Sequence, residues 1–346
     1  MEGLNGMKPI VRLAIIGCGM ISRFHIDAIR QIKTAELAGV YDPRTEAAER
    51  VAAEQAVRAY RSLDELWNDR SVDAVCICTP SGTHGALAID ALRHGKHVLV
   101  EKPMALKREE CRTIFDESRK NGLQAGVVSQ LRFSPGVQLV KQAVEQGRLG
   151  RLVSTELNMK YYREESYFSA SAWRGTKSMD GGGALMNQGI HGVDLLQYIA
   201  GMPVRVFGQS RTLVHDIEVE DTLHAMLMYE NGALGSVIAT TSVYPGFARR
   251  LTVCGEEGTI ELEEDRIAVW KLKGGSMPPE LAGADISGSS DPASIGIQGH
   301  VRQLENFAAA IRGEEPLLVD AAEGCKPLAV IWGIYEASEK GRVITI

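Results

Sequence analysis

Short, uniformly apolar runs alternate with helix-period stretches through the first 128 residues, a rhythm that predicts a parallel sheet covered by helices on both faces. Residues 11–16 read as a buried strand and 22–33 as a helix. Strands follow over 35–41, 72–78, 97–100 and 124–129, separated by helices over 45–53, 82–94 and 107–121. Beyond Ser129 the rhythm changes. A helix over 135–146 and a strand over 152–162 lead to the loop Gly181-Gly182-Gly183 and a helix over 184–200. Strand-like segments then recur at 204–213, 221–229, 232–243, 248–255, 258–263 and 266–272. Turn signals such as Glu230-Asn231-Gly232 and Glu257-Gly258 separate them, which predicts a mainly antiparallel sheet. A loop rich in Gly, Ser and Pro over 274–299 precedes two closing helices, 300–312 and 321–340.

The pattern therefore divides into a doubly wound α/β domain over 1–128 and an α+β domain over 129–346, the latter with a large, mainly antiparallel, open-faced sheet. A length of 346 residues agrees with two cores rather than one. Apolar residues make up 45% and charged residues 24%, the balance of an ordinary globular chain. The formal net charge is −6 and no block of Lys and Arg stands out, which argues against a nucleic-acid partner. Residues 1–9 lack the pattern of a secretory leader, and no apolar run approaches the roughly 18 to 20 residues of a membrane span. A cytoplasmic protein without a membrane partner is expected. The six cysteines form no C-x-x-C pair, and Cys76 and Cys78 fall on one strand face, so they are read as reduced packing residues.

Gly17-Cys18-Gly19-Met20-Ile21-Ser22 follows the first strand and opens a helix. In that context the first glycine permits a tight turn, and the second lets a pyrophosphate approach the backbone near Met20 and Ile21 at the helix N-terminus. Ser22 stands where the fingerprint of the Rossmann fold usually has Gly or Ala. Asp42 ends the second strand, where a carboxylate accepts from the adenosine ribose hydroxyls and repels a 2′-phosphate. NAD is favoured. Arg44, which could reach such a phosphate, keeps NADP open, and Asp42-Pro43 also reads as a turn opener.

Thr79-Pro80-Ser81-Gly82-Thr83-His84 and Gly95-Lys96-His97-Val98-Leu99-Val100-Glu101-Lys102-Pro103 carry a resemblance to the glucose-fructose oxidoreductase / inositol dehydrogenase (Gfo/Idh/MocA) family. It extends through Trp173-Arg174-Gly175, the stretch from Gly181 to His191 and the closing helices, nearly the whole chain. The resemblance implies that Lys102 reaches the junction of nicotinamide and substrate, before a Lys-Pro bond that is often cis. An ammonium there can stabilise developing alkoxide charge. Glu101 is implied at the nicotinamide ribose, with Thr79, Pro80 and His84 lining the same crevice. His84 reads equally as a helix-start histidine satisfied by backbone. His191 is implied as the general base, a task suited to imidazole near neutral pH. Asn187 precedes it at i, i+4 spacing on one helix face. Inositol dehydrogenases carry Asp there, and Asn resembles instead the branch acting on nucleotide-linked amino-sugar uronates. Asp194 shares the His191 face and is expected to orient the imidazole or a substrate hydroxyl. Trp173 and Arg174 resemble a cofactor-contacting element, or else a packed Trp beside a solvated Arg. Tyr161, Tyr162, Arg163 and Tyr167 are sugar or anion contacts, or strand-face packing.

His215, Asp216, Glu218, Glu220 and Asp221 alternate with Ile217 and Val219 as on a solvated strand edge, and no metal is expected. The resulting expectation is an NAD(P)-dependent oxidoreductase moving hydride between nicotinamide and a secondary hydroxyl or ketone of a sugar, cyclitol or sugar derivative. The alternatives are a non-catalytic dinucleotide-binding sensor and a cofactor-recycling enzyme with tightly held NADP. Lys102 and His191 together disfavour the sensor. In the second sheet, Met226 and Met228 oppose the apolar row Leu223, Ala225, Leu227 and Tyr229, which predicts a second face covered by another copy in a homodimer or homotetramer.

Overall fold

The computed structural model describes residues 10–275 and 296–346, and these form two compact units. One unit holds the described residues up to Val128 together with His300–Gly324. The other begins at Ser129 and resumes from Cys325 to Ile346. The stretch 300–324, read with the second domain in the sequence, packs within the first unit. Most of the loop read over 274–299 lies outside the described residues.

The first unit runs β1 (Val11–Ile16), α1 (Met20–Ile29), β2 (Ala35–Tyr41), α2 (Thr45–Gln55), β3 (Arg58–Ala59), α3 (Leu63–Asn68), β4 (Ala74–Ile77), α4 (His84–Arg93), β5 (His97–Val100), α5 (Arg108–Asn121) and β6 (Ala125–Val127). Its six strands are all parallel in the order β3-β2-β1-β4-β5-β6, the Rossmann order. Every residue of β4 is buried, and so is every residue of β1 except Arg12, because helices cover both faces. β3 and α3 were not read from the sequence; they are too short to show a period. The strand β6 is closed by the later chain, where Val127 donates its N–H to the carbonyl of Val319.

The second unit adds α6 (Pro135–Glu145), β7 (Leu152–Lys160), α7 (Glu165–Ser169), α8 (Ile190–Ala200), β8 (Arg205–Arg211), β9 (Thr222–Met228), β10 (Leu234–Thr240), β11 (Arg250–Gly255), β12 (Gly258–Glu263) and β13 (Arg266–Leu272). After α9 (Gln298–Ile311) and α10 (Ala321–Lys340), β14 (Ile344–Thr345) completes an eight-stranded sheet ordered β13-β12-β11-β7-β10-β9-β8-β14. All pairs are antiparallel except β10 with β7. Leu157, Leu223, Leu227, Val237, Leu251 and Ile260 line the buried face of this sheet. Among the described residues the opposite face is less covered, with Met226 and Leu234 about half exposed at 47% and 53%.

The helix read over 184–200 is not one α-helix. Ala184–Gly189 form a π-helical turn, and α8 starts only at Ile190. The cause lies 35 residues downstream. The buried Glu220 carboxylate accepts the N–H groups of Gly183 and Leu185 at 2.8 and 2.9 Å, and its carbonyl takes that of Ala184 at 2.9 Å. Any side chain on Gly183 would overlap that carbonyl. Tyr335 also donates to the carboxylate, at 2.8 Å. Burial pushes the Glu220 carboxyl above its usual range, while the hydrogen bonds pull it down. The solvated-edge reading is therefore corrected for Glu220, Asp221 and His215, which are all buried. Asp221 accepts three successive N–H groups, from Leu213, Val214 and His215. Backbone donors in need of partners have drawn these acids inside.

Asp194 is buried as well. Both its oxygens bind the guanidinium of Arg132 at 2.6 and 2.9 Å, and Arg132 is 0% exposed. The carboxylate thus neutralises a buried charge. Removing one partner of such a pair strands the other charge. Asp194→Asn should destabilise the fold by about 3–5 kcal/mol, read by urea denaturation.

Candidate active site

In a parallel sheet all strands end on the same edge, and that edge gathers the first set of predicted residues. Gly17 to Gly19 follow β1, Asp42 follows β2, Thr79 and Pro80 follow β4, and Glu101 and Lys102 follow β5. Gly17 has φ +98°, and a Cβ there would stand 2.6 Å from the carbonyl oxygen of Cys78, so a side chain is excluded twice. Gly19 differs: a Cβ would meet nothing within 4 Å. The fold itself does not require glycine at that position. The space beside its backbone at the start of α1, next to the half-exposed Met20 and the partly exposed Ile21, suits a diphosphate. Ser22 is buried and donates to the carbonyl of Gly19 at 2.7 Å, so it stays within the turn.

Asp42 is buried, and one oxygen accepts the N–H of Cys18 at 2.8 Å. The other accepts both the N–H and the Nε of Arg44, at 2.9 and 3.1 Å. Burial raises the carboxyl, but the Arg44 and Cys18 donors outweigh it and hold Asp42 below the usual range. Arg44 is itself mostly exposed and folds back on Asp42. The residues fit a dinucleotide, and an ionised carboxylate in this position suits ribose hydroxyls better than a 2′-phosphate.

The turn after β5 is held from both sides. The Lys102–Pro103 bond is cis. Glu101 is buried, accepting from the ring of His25 (Nε2 to Oε1, 2.8 Å) and from the Lys102 N–H at 3.2 Å. Burial favours the neutral acid, yet the bond from His25 and the nearby charges of His25, His300 and Lys102 bring Glu101 down to about 2. His84, the first residue of α4, is 1% exposed; Nδ1 lies 2.7 Å from the carbonyl of Pro103 and Nε2 lies 2.8 Å from that of Thr79. It takes the backbone-satisfied alternative, and burial pushes it below its ordinary value.

His300 was not foreseen, although it belongs to this unit. It comes from α9 to lie edge-on to His25, their ring centroids 5.7 Å apart, and neither of its buried ring nitrogens has a hydrogen-bond partner among the described residues. Ligand atoms of His25, Glu101 and His300 all lie within 4.8 Å of one another. The two closest are already joined by a proton, so the group is an ion pair beside an imidazole that burial pushes down to about 4. No sequence pattern links position 300 to position 25.

In the second unit, the π-helical turn carries Asn187, and α8 carries His191 in its first turn. The wider turn rotates Asn187 relative to an α-helical position, so face-sharing inferred from i, i+4 spacing does not transfer unchanged. Asn187 donates through Nδ2 to Asp180 at 2.6 Å, and Asp180 also accepts the Gly175 N–H at 2.9 Å. Asp180, 2% exposed, was missed; its position beside Gly181 was the available signal. His191 and Asn187 are both partly exposed. Tyr161 and Arg163, expected as substrate contacts, are 7% and 6% exposed. They continue the inward row of Leu157 and Met159, as a two-residue period requires, and burial pushes the Tyr161 phenol up to about 12. Tyr162 faces the other way, edge-on to Tyr244. Arg174 stacks over Tyr167 and Trp173 at 4.5 and 5.2 Å.

Residues 11–129 match the oxidoreductase family with an NAD-binding Rossmann fold, and residues 137–261 match the GFO/IDH/MocA C-terminal domain. A solved structure of the WlbA dehydrogenase from Bordetella pertussis, in complex with NADH and UDP-GlcNAcA, is similar at 34% identity and TM-score 0.88, covering 98% of this chain and 99% of that one. The scyllo-inositol 2-dehydrogenase (NAD(+)) of Bacillus subtilis is 27% identical, covering 91% of this chain and 90% of its own. The UDP-N-acetylglucosamine 3-dehydrogenase of Acidithiobacillus ferrooxidans is 27% identical, over 95% and 97%. With both halves matched and a relative of this similarity along its whole length, the chain belongs to the Gfo/Idh/MocA family of oxidoreductases.

Proposed function

We propose that this chain is an NAD-dependent dehydrogenase that oxidises a secondary hydroxyl of a nucleotide-linked N-acetylated sugar uronate. The observation that carries the substrate class is Asn187. Inositol-type enzymes have an ionisable carboxylate there, whereas this chain has an amide tied to Asp180. The likeness to a dehydrogenase structure holding NADH and UDP-GlcNAcA, at 34% identity, points the same way. The coarser reading, hydride transfer between a nicotinamide cofactor and a sugar-like hydroxyl, is common ground for the named relatives.

When bound, the dinucleotide accepts the hydride leaving the carbinol carbon. His191 takes the hydroxyl proton as the carbonyl forms, and reduction runs through the same groups in reverse. Lys102 hydrogen-bonds the reacting oxygen and stabilises its developing negative charge. Asn187, its amide oriented by Asp180, contacts the substrate. Gly17, Gly19, Met20 and Ile21 receive the diphosphate, Asp42 the adenosine ribose and Glu101 the nicotinamide ribose. Thr79 and Pro80 border the nicotinamide half, with Trp173 and Arg174 as further cofactor contacts.

A second copy of the chain is proposed to cover the open face of the eight-stranded sheet. Phe207, Met226 and Ser236 form one cross-strand row on that face, with Met228 facing Leu234 beside it. An apolar patch left open on a sheet favours self-association.

Turnover should be highest with UDP-GlcNAcA and NAD when that substrate, UDP-GlcNAc and scyllo-inositol are compared by nicotinamide absorbance with both cofactors. Preference for the cyclitol would reject the substrate class. Lys102→Ala and His191→Ala should each lower kcat by about 10²- to 10⁴-fold while NADH titration by fluorescence stays near wild type. Asp42→Ser should weaken NAD about tenfold or more and improve NADP, since Arg44 is then released toward a 2′-phosphate. Equal NAD affinity in that variant would remove Asp42 from the ribose site. Light scattering after size exclusion at micromolar concentration should give a dimer or tetramer, and Met226→Glu should shift it toward the mass of one chain.

A further inference from the structure

Beside Lys102, proposed at the reacting oxygen, a buried histidine sits over the residue that follows. His84 opens α4 with both ring nitrogens on backbone carbonyls: Nδ1 on Pro103 at 2.7 Å and Nε2 on Thr79 at 2.8 Å. Those carbonyls belong to the turns that follow two neighbouring parallel strands, β5 and β4. One imidazole therefore reaches the carboxyl ends of both strands, directly after the residue that would carry the chemistry, and the nitrogen that bears the neutral ring's single proton donates to its carbonyl. The other side of the same turn is held independently by Glu101, through His25 and the Lys102 N–H. Lys102 thus stands between two anchors, and only the His84 anchor is separable from the carboxylate assigned to the nicotinamide ribose.

We propose that His84 is a positioning residue for Lys102, acting through the Nδ1–Pro103 hydrogen bond and not by touching cofactor or substrate. The proposal rests on the catalytic reading of Lys102. An ammonium on a four-carbon stem reaches its target only if its Cα is fixed, and displacements near 1 Å cost about 10²-fold in rate. His84 is too buried to offer either nitrogen to a ligand, at 1% exposure. Its ring nitrogens both lie against the two turns, and its one N–H has a carbonyl to donate to, which accounts for a histidine rather than an apolar residue at this point in the core.

Two amides separate the two bonds. The side-chain nitrogen of Asn falls near the position of Nδ1, and that of Gln near Nε2. His84→Asn can keep the bond to Pro103, His84→Gln only the bond to Thr79, and His84→Ala neither. The four proteins are compared by thermal melting, by kcat and KM with UDP-GlcNAcA and NAD, by NADH titration, and by deuterium uptake of the peptide spanning 97–104. His84→Ala and His84→Gln should lower kcat about ten- to a hundredfold, with KM and NADH affinity within about twofold, and raise uptake in that peptide. His84→Asn should match wild type in both readouts. Rescue by Gln and not by Asn would overturn the proposal, as would wild-type kcat in His84→Ala where Lys102→Ala has lost turnover. If Lys102→Ala itself keeps full turnover, the catalytic reading of Lys102 falls, while the uptake pattern still decides whether His84 holds the turn through Pro103. In the Lys102→Ala background, adding His84→Ala should lower kcat no further, because the two act through one group.

Discussion

A parallel sheet buried on both faces has no room for polar chemistry along its strands. Every residue of β4 is buried, as is β1 apart from Arg12. Polar function is therefore driven to the edge where the strands end, and there it becomes dense. Gly17, Asp42, Thr79, Glu101 and Lys102 are scattered over 86 positions of the chain, yet each is the next step after a strand of the same sheet. The turn after β1 shows how tight that edge is, since a side chain at Gly17 would strike the backbone following β4. The dinucleotide reading follows from this constraint more than from the glycine spacing alone.

Density at the edge brings ionisable groups into the core. Glu101 is buried beside Lys102, the buried His25 and His84 lie on Glu101 and on the carbonyl of Pro103, and their environments separate them in charge. His25 is held well above its ordinary value by Cys78, Cys76 and Glu101 in spite of burial, and Glu101 falls to about 2. His84 and His300 go the other way, because burial dominates where no carboxylate is bonded. The ion pair braces one side of the Lys102 turn and a backbone-bound imidazole braces the other. Such bracing suits a site in which a flexible lysine must meet a reacting atom.

The second unit solves a different problem with similar means. Its sheet is covered on one face by helices, including α10, where Ser338 bonds Ser210 on β8. The opening of the helix that carries Asn187 and His191 is held by Glu220, and the turn before β9 by Asp221. These acids stabilise otherwise unpaired backbone N–H groups, and Glu220 holds the start of the π-helical turn in which Asn187 lies. The segment that carries Asn187 and His191 is thus shaped by a residue that comes after it in the chain.

By itself the sequence determined whatever depends on local period and neighbouring residues. The strands at 11–16, 35–41 and 97–100, the helix at 321–340 and the hairpin strands at 258–263 and 266–272 stand where their apolar rhythm put them. The glycine turn, the Lys102-Pro103 turn and Asp42 at the end of β2 were legible for the same reason: each is defined by the few residues around it. Tertiary structure decided whatever depends on a partner distant in sequence. Asp194 is spaced to serve His191 but is claimed by Arg132, and Asn187 finds Asp180. Glu220 reads as a solvated acid and instead caps Gly183 and Leu185, while His300 joins His25 from across 275 positions. Side-chain spacing fixes which face of an element a group occupies, but burial then obliges every donor and acceptor on that face to find a partner, and only the folded chain supplies it.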